Sequence, residues 1–171
     1  MMNSKRRPER GTQIGVISDT HGLLRPEAIE ALIGSDLILH AGDIGKLEIL
    51  EELNTIAPVV AVRGNNDTGA WAQTIPETET VTVENVTIHL LHIAKDLKLD
   101  PKTAGIQVVI SGHSHKPSLE QREGMLFLNP GSAGPRRFKL SISVACLYVK
   151  DAIVHAQVIN LLDTEVPLGL S

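Results

Sequence analysis

The sequence contains very little cysteine and few aromatic side chains. Cys146 is the only cysteine of the 171-residue chain, so an internal disulfide and a zinc ribbon built from paired cysteines are both excluded. It lies in the apolar run of residues 144–147, which is typical of a small buried side chain. Aromatic residues make up only 2% of the chain, and we therefore expect valine, isoleucine and leucine to fill the core.

Long hydrophobic runs and a large excess of positive charge are also absent. No apolar run approaches the roughly 20 residues of a membrane-spanning helix. The basic N-terminus is not followed by the apolar segment of a signal peptide. The net charge of −4 offers no general attraction for nucleic acid. We therefore expect a cytoplasmic protein with no membrane partner and no clear nucleic-acid partner.

The length and the 42% hydrophobic content fit one globular domain. Residues 1–12 are polar and charged, and we expect a flexible N-terminal tail there, followed by one domain over residues 13–171. Strands and helices alternate in the first half, which indicates right-handed crossovers and parallel strands. The expected strands cover residues 14–18, 37–40 and 58–62, and the expected helices cover residues 26–33 and 46–54.

The second half of the chain is mostly β. Glu84 and Asn85 separate two apolar segments and predict a hairpin, and a short helix is expected over residues 96–104. Further strands are expected over residues 80–83, 86–91, 106–111, 125–128, 143–148 and 153–160. The sequence therefore predicts an α/β sandwich of two mixed β-sheets flanked by helices.

Residues that commonly bind metals follow several of these predicted strands. Ligand sites in open α/β sheets lie beyond the carboxyl ends of strands, so the loops can converge. Carboxylates, imidazoles and an amide oxygen suit borderline divalent ions, whereas Mg²⁺ or Ca²⁺ sites rely more on oxygen. Seven such residues would hold two ions: Asp19, His21, Asp43, Asn65, His92, His113 and His115.

Six motifs occur in a fixed order over residues 13–160: Asp19-Thr20-His21, Gly42-Asp43, Gly64-Asn65-Asn66-Asp67, His92, Gly112-His113-Ser114-His115 and Asn129-Pro130-Gly131-Ser132. In this order the chain resembles the calcineurin-like metallophosphoesterases, and specifically their small bacterial and archaeal phosphodiesterase branch. The resemblance implies a metallo-dependent phosphatase-like fold and a two-metal hydrolase. It also implies a small-molecule phosphodiester substrate and a metal-bridging hydroxide as the nucleophile. It leaves open whether the chain forms a homo-oligomer.

The resemblance also implies a division of the ligands between the two ions. Asp19, His21 and His115 would hold the first ion, and Asn65, His92 and His113 would hold the second. Asp43 would bridge them. We expect Mn²⁺ as the cofactor, with Zn²⁺, Ni²⁺ and Fe²⁺ as alternatives.

The expected catalytic residues are Asp43, Asn66, Asp67 and Arg25. The wider superfamily carries a histidine, thought to protonate the leaving group, where this chain has Asn66. An amide donates a hydrogen bond but is no general acid at neutral pH, so we expect a preference for leaving groups that need little protonation. Arg25 follows the first motif and is the strongest candidate for a phosphate contact, ahead of Lys116, Arg136 and Arg137.

His92 and His89 are both candidates for the second-metal ligand. Strand residues alternate between faces, and His92 is the one at the end of its strand, where the other ligand loops gather. The family usually continues with glycine after this histidine, whereas this chain has Ile93.

The sequence leaves two other interpretations open. One is a non-catalytic interaction scaffold, since the retromer subunit that shares the fold has an eroded metal site. The intact His21 and Asp43 favour the enzyme over this reading. The other is a single-metal protein, which requires half of the ligand set to be accidental.

Overall fold

The computed structural model describes residues 11–162 and the backbone of residues 169–170. Residues 1–10 of the expected tail lie outside the described residues, and Thr12 already opens the first strand. The described residues form β1 (Thr12–Ile17), α1 (Pro26–Leu32), β2 (Leu37–His40), α2 (Leu47–Asn54), β3 (Val59–Ala61), β4 (Thr78–Val83), β5 (Val86–Leu91), β6 (Val108–Ile110), β7 (Ser118–Arg122), β8 (Met125–Asn129), β9 (Ser143–Lys150), β10 (Ile153–Asn160) and β11 (Gly169–Leu170).

The strands form two mixed sheets, as expected. The six-stranded sheet has the order β11-β10-β9-β1-β2-β3, and the five-stranded sheet has the order β4-β5-β6-β8-β7. In the first, β1, β2 and β3 are parallel, and β9 joins β1 antiparallel. In the second, β5, β6 and β8 are parallel, with antiparallel strands at both edges. The predicted α/β sandwich of two mixed sheets is confirmed.

The main core lies between the two sheets and is aliphatic. Alternate residues of β1, such as Ile14 and Val16, belong to one hydrophobic cluster with Ile88 and Leu90 of β5, and all four are at most 1% exposed. The few aromatic residues leave this packing to branched aliphatic side chains. The two sheets are thereby fixed face to face, with their parallel strands ending near one another.

The two α-helices cover the outer face of the six-stranded sheet. Pro26 lies in the first turn of α1, where its missing N–H costs nothing, and Ala28 and Leu32 face inward one turn apart. Ile49 and Leu53 of α2 repeat this spacing. Both helices therefore pack their apolar side chains against this sheet. Among the described residues, no helix is both long and apolar enough to cross a membrane.

The expected helix over residues 96–104 is wrong. This part of the chain forms a 3₁₀ turn over Ala94–Asp96 and hydrogen-bonded turns over residues 101–105. Pro101 disfavours helical geometry at the residue before it, and Asp100 accepts bonds from Lys102 N–H and the Thr103 hydroxyl, which stabilise a turn instead. The outer face of the five-stranded sheet is consequently covered by an irregular segment.

Strand β7 was not expected from the sequence. Its residues are mostly exposed, so the alternation of apolar and polar residues that marks a half-buried strand is missing. Pairing with β8 at the sheet edge forms the strand, and intrinsic propensity does not reveal it.

Candidate metal centre

The loops that follow β1, β2, β3, β5 and β6 meet at one edge of the sandwich. Backbone hydrogen bonds join them: Asp19 N–H donates to Gly42 O at 2.9 Å, and Gly112 N–H donates to His92 O at 2.9 Å. The parallel strands of both sheets end here, which explains why residues distant in sequence become neighbours.

Five candidate ligands have a left-handed backbone conformation. Side chains other than glycine rarely adopt positive φ angles, and such strained residues gather at functional sites. Aspartate and histidine adopt positive φ angles more often than most other residues. Their occurrence in these loops is therefore a sequence signal of this backbone conformation. The φ angles are 55° at Asp19, 46° at His21, 55° at Asp43, 72° at His113 and 62° at His115.

Asp19, His21 and His115 form one compact group, which we call the inner trio. Their ligand atoms all lie within 4.8 Å of one another. His115 Nε2 is 3.3 Å from Asp19 Oδ1 and 3.3 Å from His21 Nε2. The sequence-predicted ligands of the first ion are therefore brought together.

Asp43, His92 and His113 form a second group with the same 4.8 Å limit, and with Asn65 we call them the outer set. Asp43 Oδ2 is 3.2 Å from His92 Nε2 and 3.8 Å from His21 Nε2, so this oxygen lies between the two groups. Asn65 is exposed on the loop after β3, beside His92 in a shared cleft.

Asp19 is held by one oxygen and leaves the other facing the cluster. Its Oδ2 accepts hydrogen bonds from the Ser18 hydroxyl at 2.6 Å and from His113 N–H at 3.1 Å. Its Oδ1 is buried and has no hydrogen-bond partner among the described residues. The carboxylate is thus oriented before any ligand arrives.

The ring of His92 is oriented in a similar way. Its Nδ1 is 2.7 Å from Ala41 O, and because a carbonyl only accepts, Nδ1 carries a proton. Gly42 permits this approach, since a Cβ there would lie 2.7 Å from His92 Nδ1. In the neutral ring, Nε2 then carries a lone pair that points towards the cluster. This arrangement is common among metal-binding histidines. Nε2 too is buried without a hydrogen-bond partner among the described residues.

These orphaned atoms fit a divalent cation. A buried acceptor without a hydrogen bond is costly, and here Asp19 Oδ1 and His92 Nε2 face other acceptors of the same cluster. A positive ion between them would remove the repulsion. The mixed carboxylate and imidazole donors match a borderline transition metal.

The pKa directions show that the carboxylates and imidazoles of the cluster interact closely. Burial lowers the pKa of His92, but the carboxylates of Asp43 and Asp19 outweigh it, so that the pKa is raised. Burial raises the pKa of Asp43, but the adjacent His92 ring and the hydrogen bond from Asn66 N–H outweigh it, and the pKa falls to about 2. Burial also raises the pKa of Asp19, but the neighbouring His115 and the Ser18 hydroxyl outweigh it, so that the pKa is lowered. Both carboxylates are therefore ionised at neutral pH and available as ligands.

Asp67 is buried at 3% exposure and is bonded to backbone. Its carboxylate accepts three N–H bonds, from Ile44 at 3.1 Å, Gly45 at 3.0 Å and Gly64 at 2.9 Å. These contacts join the loop that carries Asp43 to the loop that carries Asn65. They are the contacts of a positioning residue.

Asn66 and Arg25 differ in how they contact the surroundings of the cluster. Asn66 donates from its backbone N–H to Asp43 Oδ1 at 2.9 Å and from its amide to Asp43 Oδ2 at 3.0 Å. Arg25 donates to Gly134 O at 3.3 and 3.4 Å, and its guanidinium is half-buried. Lys116, which directly follows His115, is exposed.

A further residue, His40, supports the ligand loops through hydrogen bonds. Gly42 N–H donates to its Nδ1 at 3.1 Å, so the proton is on Nε2, which lies 3.0 Å from the Thr20 hydroxyl. Thr20 in turn donates to Ile44 O at 2.8 Å. Burial lowers the pKa of His40 to about 4. His40 ends an apolar strand, and this sequence context gives no signal of its contacts with the loops.

Comparison with known proteins agrees with this geometry. The model of the calcineurin-like phosphoesterase superfamily domain matches residues 13–152. A probable metallophosphoesterase from Methanothermobacter thermautotrophicus is 40% identical over 131 residues, which cover 70% of this chain and 76% of that protein.

Solved structures show the same architecture. A structure described as a novel archaeal phosphodiesterase is 25% identical with a TM-score of 0.71, and the match covers 86% of this chain and 99% of that one. A Vps29 variant from Entamoeba histolytica is 25% identical with a TM-score of 0.75, covering 93% of this chain and 99% of that one.

Proposed function

Since this chain belongs to the calcineurin-like phosphoesterase superfamily, we propose that it is a two-metal-dependent phosphodiesterase. The observation that carries the proposal is the position of Asp43 Oδ2 between the inner trio and the outer set. One carboxylate oxygen within reach of ligands from both groups suits a bridge between two ions.

The described residues would hold two divalent ions, the inner trio one and the outer set the other, with Asp43 shared. Bound there, the ions would acidify a water to supply hydroxide as the nucleophile and would neutralise the phosphate oxygens. We propose Mn²⁺ as the cofactor, with Zn²⁺, Ni²⁺ and Fe²⁺ as alternatives that suit the same donors.

The chain itself orients the ligands and supplies the surroundings of the phosphate. Asp67 fixes the relative position of the loops that carry Asp43 and Asn65. Arg25, beside the first motif, is the guanidinium that we assign to a phosphate oxygen. Each of these groups is held by hydrogen bonds before substrate binds, which lowers the ordering cost at the reaction step.

Asn66 favours diesters with good leaving groups. Its amide lies within 3.0 Å of the bridging carboxylate, at the position where the wider superfamily has its histidine. Hydrolysis breaks one P–O ester bond, and the departing oxygen must take up a proton or leave as a stable anion. Because Asn66 cannot give up a proton at neutral pH, stable anions such as phenolates should leave fastest.

The name of the archaeal phosphodiesterase structure supports a diester substrate for this chain. The Vps29 likeness supports the fold and is compatible with an interaction scaffold. Intact ligands in both groups favour the enzyme over the scaffold.

The test is the hydrolysis of bis(p-nitrophenyl) phosphate by chelator-treated protein. We expect no hydrolysis without metal and recovery when Mn²⁺ or Ni²⁺ is added. Hydrolysis that persists after metal removal would contradict metal dependence. A folded protein that is inactive with all four candidate ions would instead support the scaffold.

A further inference from the structure

A cleft of about 900 Å³ opens beside the outer set. It lies between the loop after β3, the start of β4 and the irregular segment of residues 93–99 that replaces the expected helix. A single phosphate would fill only a small part of this volume. Sites for small organic ligands typically measure about 300–1,000 Å³.

The cleft is continuous with the metal centre. Asn65 and His92, both members of the outer set, are also part of its lining. Any phosphate ester held at the outer set would therefore direct one of its organic groups towards this space. This adjacency favours an occupant that is attached to a phosphoryl group.

The walls are chiefly apolar at the end formed by residues 91–99. Leu91 is buried, Ile93 and Leu97 are half-buried, and Leu99 is 39% exposed. Ile93 has an extended backbone, with φ −111° and ψ 114°, so isoleucine fits there without strain and His92 keeps its place in the cluster. The residue that departs from the family pattern therefore adds an apolar surface beside a metal ligand.

The charged side chains of the cleft balance one another. Arg63 is paired with Glu77 at 3.0 Å, and the other two charged residues of the lining, Asp96 and Lys98, have opposite signs. No net charge remains to attract a second phosphate or another anion. An uncharged organic group suits this lining better.

His89 adds one polar group to the cleft. It is 5% exposed, and its Nδ1 lies 2.8 Å from the Thr80 hydroxyl, which leaves Nε2 as the ring nitrogen for a ligand. Burial lowers the pKa of His89, so the ring is neutral at neutral pH. A neutral imidazole can hydrogen-bond a polar edge without requiring a charged partner.

We propose that this cleft binds an uncharged, nucleoside-sized organic group of the phosphodiester, and that Ile93, Leu97 and Leu99 are specificity-determining residues. The inference rests on the proposed function, because it gives the substrate a phosphate at the metal centre. It goes beyond that function by assigning the substrate an organic group of stated size and charge.

The direct test is the binding of two monophosphates to the Mn²⁺-loaded protein by titration calorimetry. Thymidine 5′-monophosphate carries a nucleoside, and methyl phosphate carries only a methyl group. We expect the thymidine compound to bind at least about tenfold more tightly, a typical gain from a few added apolar contacts. Equal affinities would overturn the inference.

Variants locate the preference in the cleft. Ile93→Ala and Leu99→Asp should each reduce it by about tenfold and leave methyl phosphate binding unchanged. Ile153→Asp is the matched control, because Ile153 is 72% exposed and pairs with Lys150, at the end of the sheet away from the ligand loops. A preference that survives in both cleft variants would contradict the assignment.

Turnover separates a failure of this inference from a failure of the proposed function. Thymidine 5′-(p-nitrophenyl) phosphate and methyl p-nitrophenyl phosphate share one leaving group and differ in the group that remains. Binding preference without hydrolysis of either ester would refute the phosphodiesterase and leave the cleft assigned. Hydrolysis of both with equal kcat/KM and equal product binding would refute the cleft assignment alone.

Discussion

The two halves of the metal centre differ in burial. In the inner trio, Asp19 is fully buried and His115 is 3% exposed, and only His21 is half-buried. In the outer set, Asp43 and His92 are buried, but His113 and Asn65 are exposed. The inner half is the more completely enclosed by protein, and the outer half faces the solvent and the cleft.

This difference suggests separate tasks for the two halves. Rigid, buried ligands bind a metal without a large ordering cost, so the inner trio should load first. The exposed ligands of the outer set leave room for a phosphate to approach. Asp43 belongs to the outer set by contact with His92 and reaches the inner trio through His21, so it couples the two halves.

The largest expected effect is that of Asp43→Ala, which removes the residue common to both halves. Diesterase activity should fall to background because both ions lose a ligand. Asp100→Ala is the matched control, since Asp100 belongs to neither group of ligands and stabilises a surface turn with Lys102 and Thr103. Circular dichroism should show both variants folded, and wild-type turnover by Asp43→Ala would refute the bridging role.

His92→Ala should affect the two halves of the metal centre differently. This variant should lose the outer ion, keep the inner ion and lose nearly all activity, because only the outer set contains His92. His89→Ala, from the opposite face of the same strand, should keep both ions. Metal content per chain measures the outcome, and the reverse pattern would place the second ligand at His89.

Asn66→His tests whether the leaving group departs without a proton donor. General acid assistance is typically worth about 10²–10⁴-fold, so turnover of alkyl esters should rise while that of aryl esters changes little. Asn54→His, at the exposed end of α2, should change neither. Equal rates of wild-type hydrolysis for alkyl and aryl esters would contradict the account of the leaving group.

The smallest expected effect is on stability. It comes from His40, which contacts Thr20 in the loop that carries Asp19 and His21. Its pKa is about 4 when folded against 6.5 ordinarily, so the unfolded chain takes up a proton first as the pH falls. Stability present above pH 6.5 should be lost towards pH 4, by about 3 kcal/mol. Chemical unfolding of metal-free protein measures this loss.

His40→Asn should flatten this acid dependence and keep an acceptor for Gly42 N–H. His155→Asn is the control, because His155 is exposed and should leave the dependence unchanged. An equal loss of stability in His40→Asn and the wild type would show that His40 is not its source.

The sequence predicted the fold well where local pattern and tertiary structure agree. The alternation from β1 to β3 and the hairpin of β4 and β5 follow from periodicity and turn residues. It failed at residues 96–104, where Pro101 and the Asp100 turn oppose a helix, and at β7, whose exposed residues carry no pattern.

The candidate ligands were predictable because metal-binding side chains follow strands that end at one edge. The hydrogen bonds that hold these ligands in place could not be predicted from the sequence. The bond from His92 to Ala41 O and those from the Asp67 carboxylate to three backbone N–H groups join segments far apart in sequence. Such contacts exist only once the sheets have packed, so no spacing rule reveals them.

The most direct test of the two-metal account is a titration of chelator-treated protein with Mn²⁺, in which bound ions per chain and diesterase activity are measured on the same samples. We predict two ions per chain, with the first bound more tightly and activity increasing only as the second binds. Full activity at one bound ion per chain, or saturation at a single ion, would contradict the account.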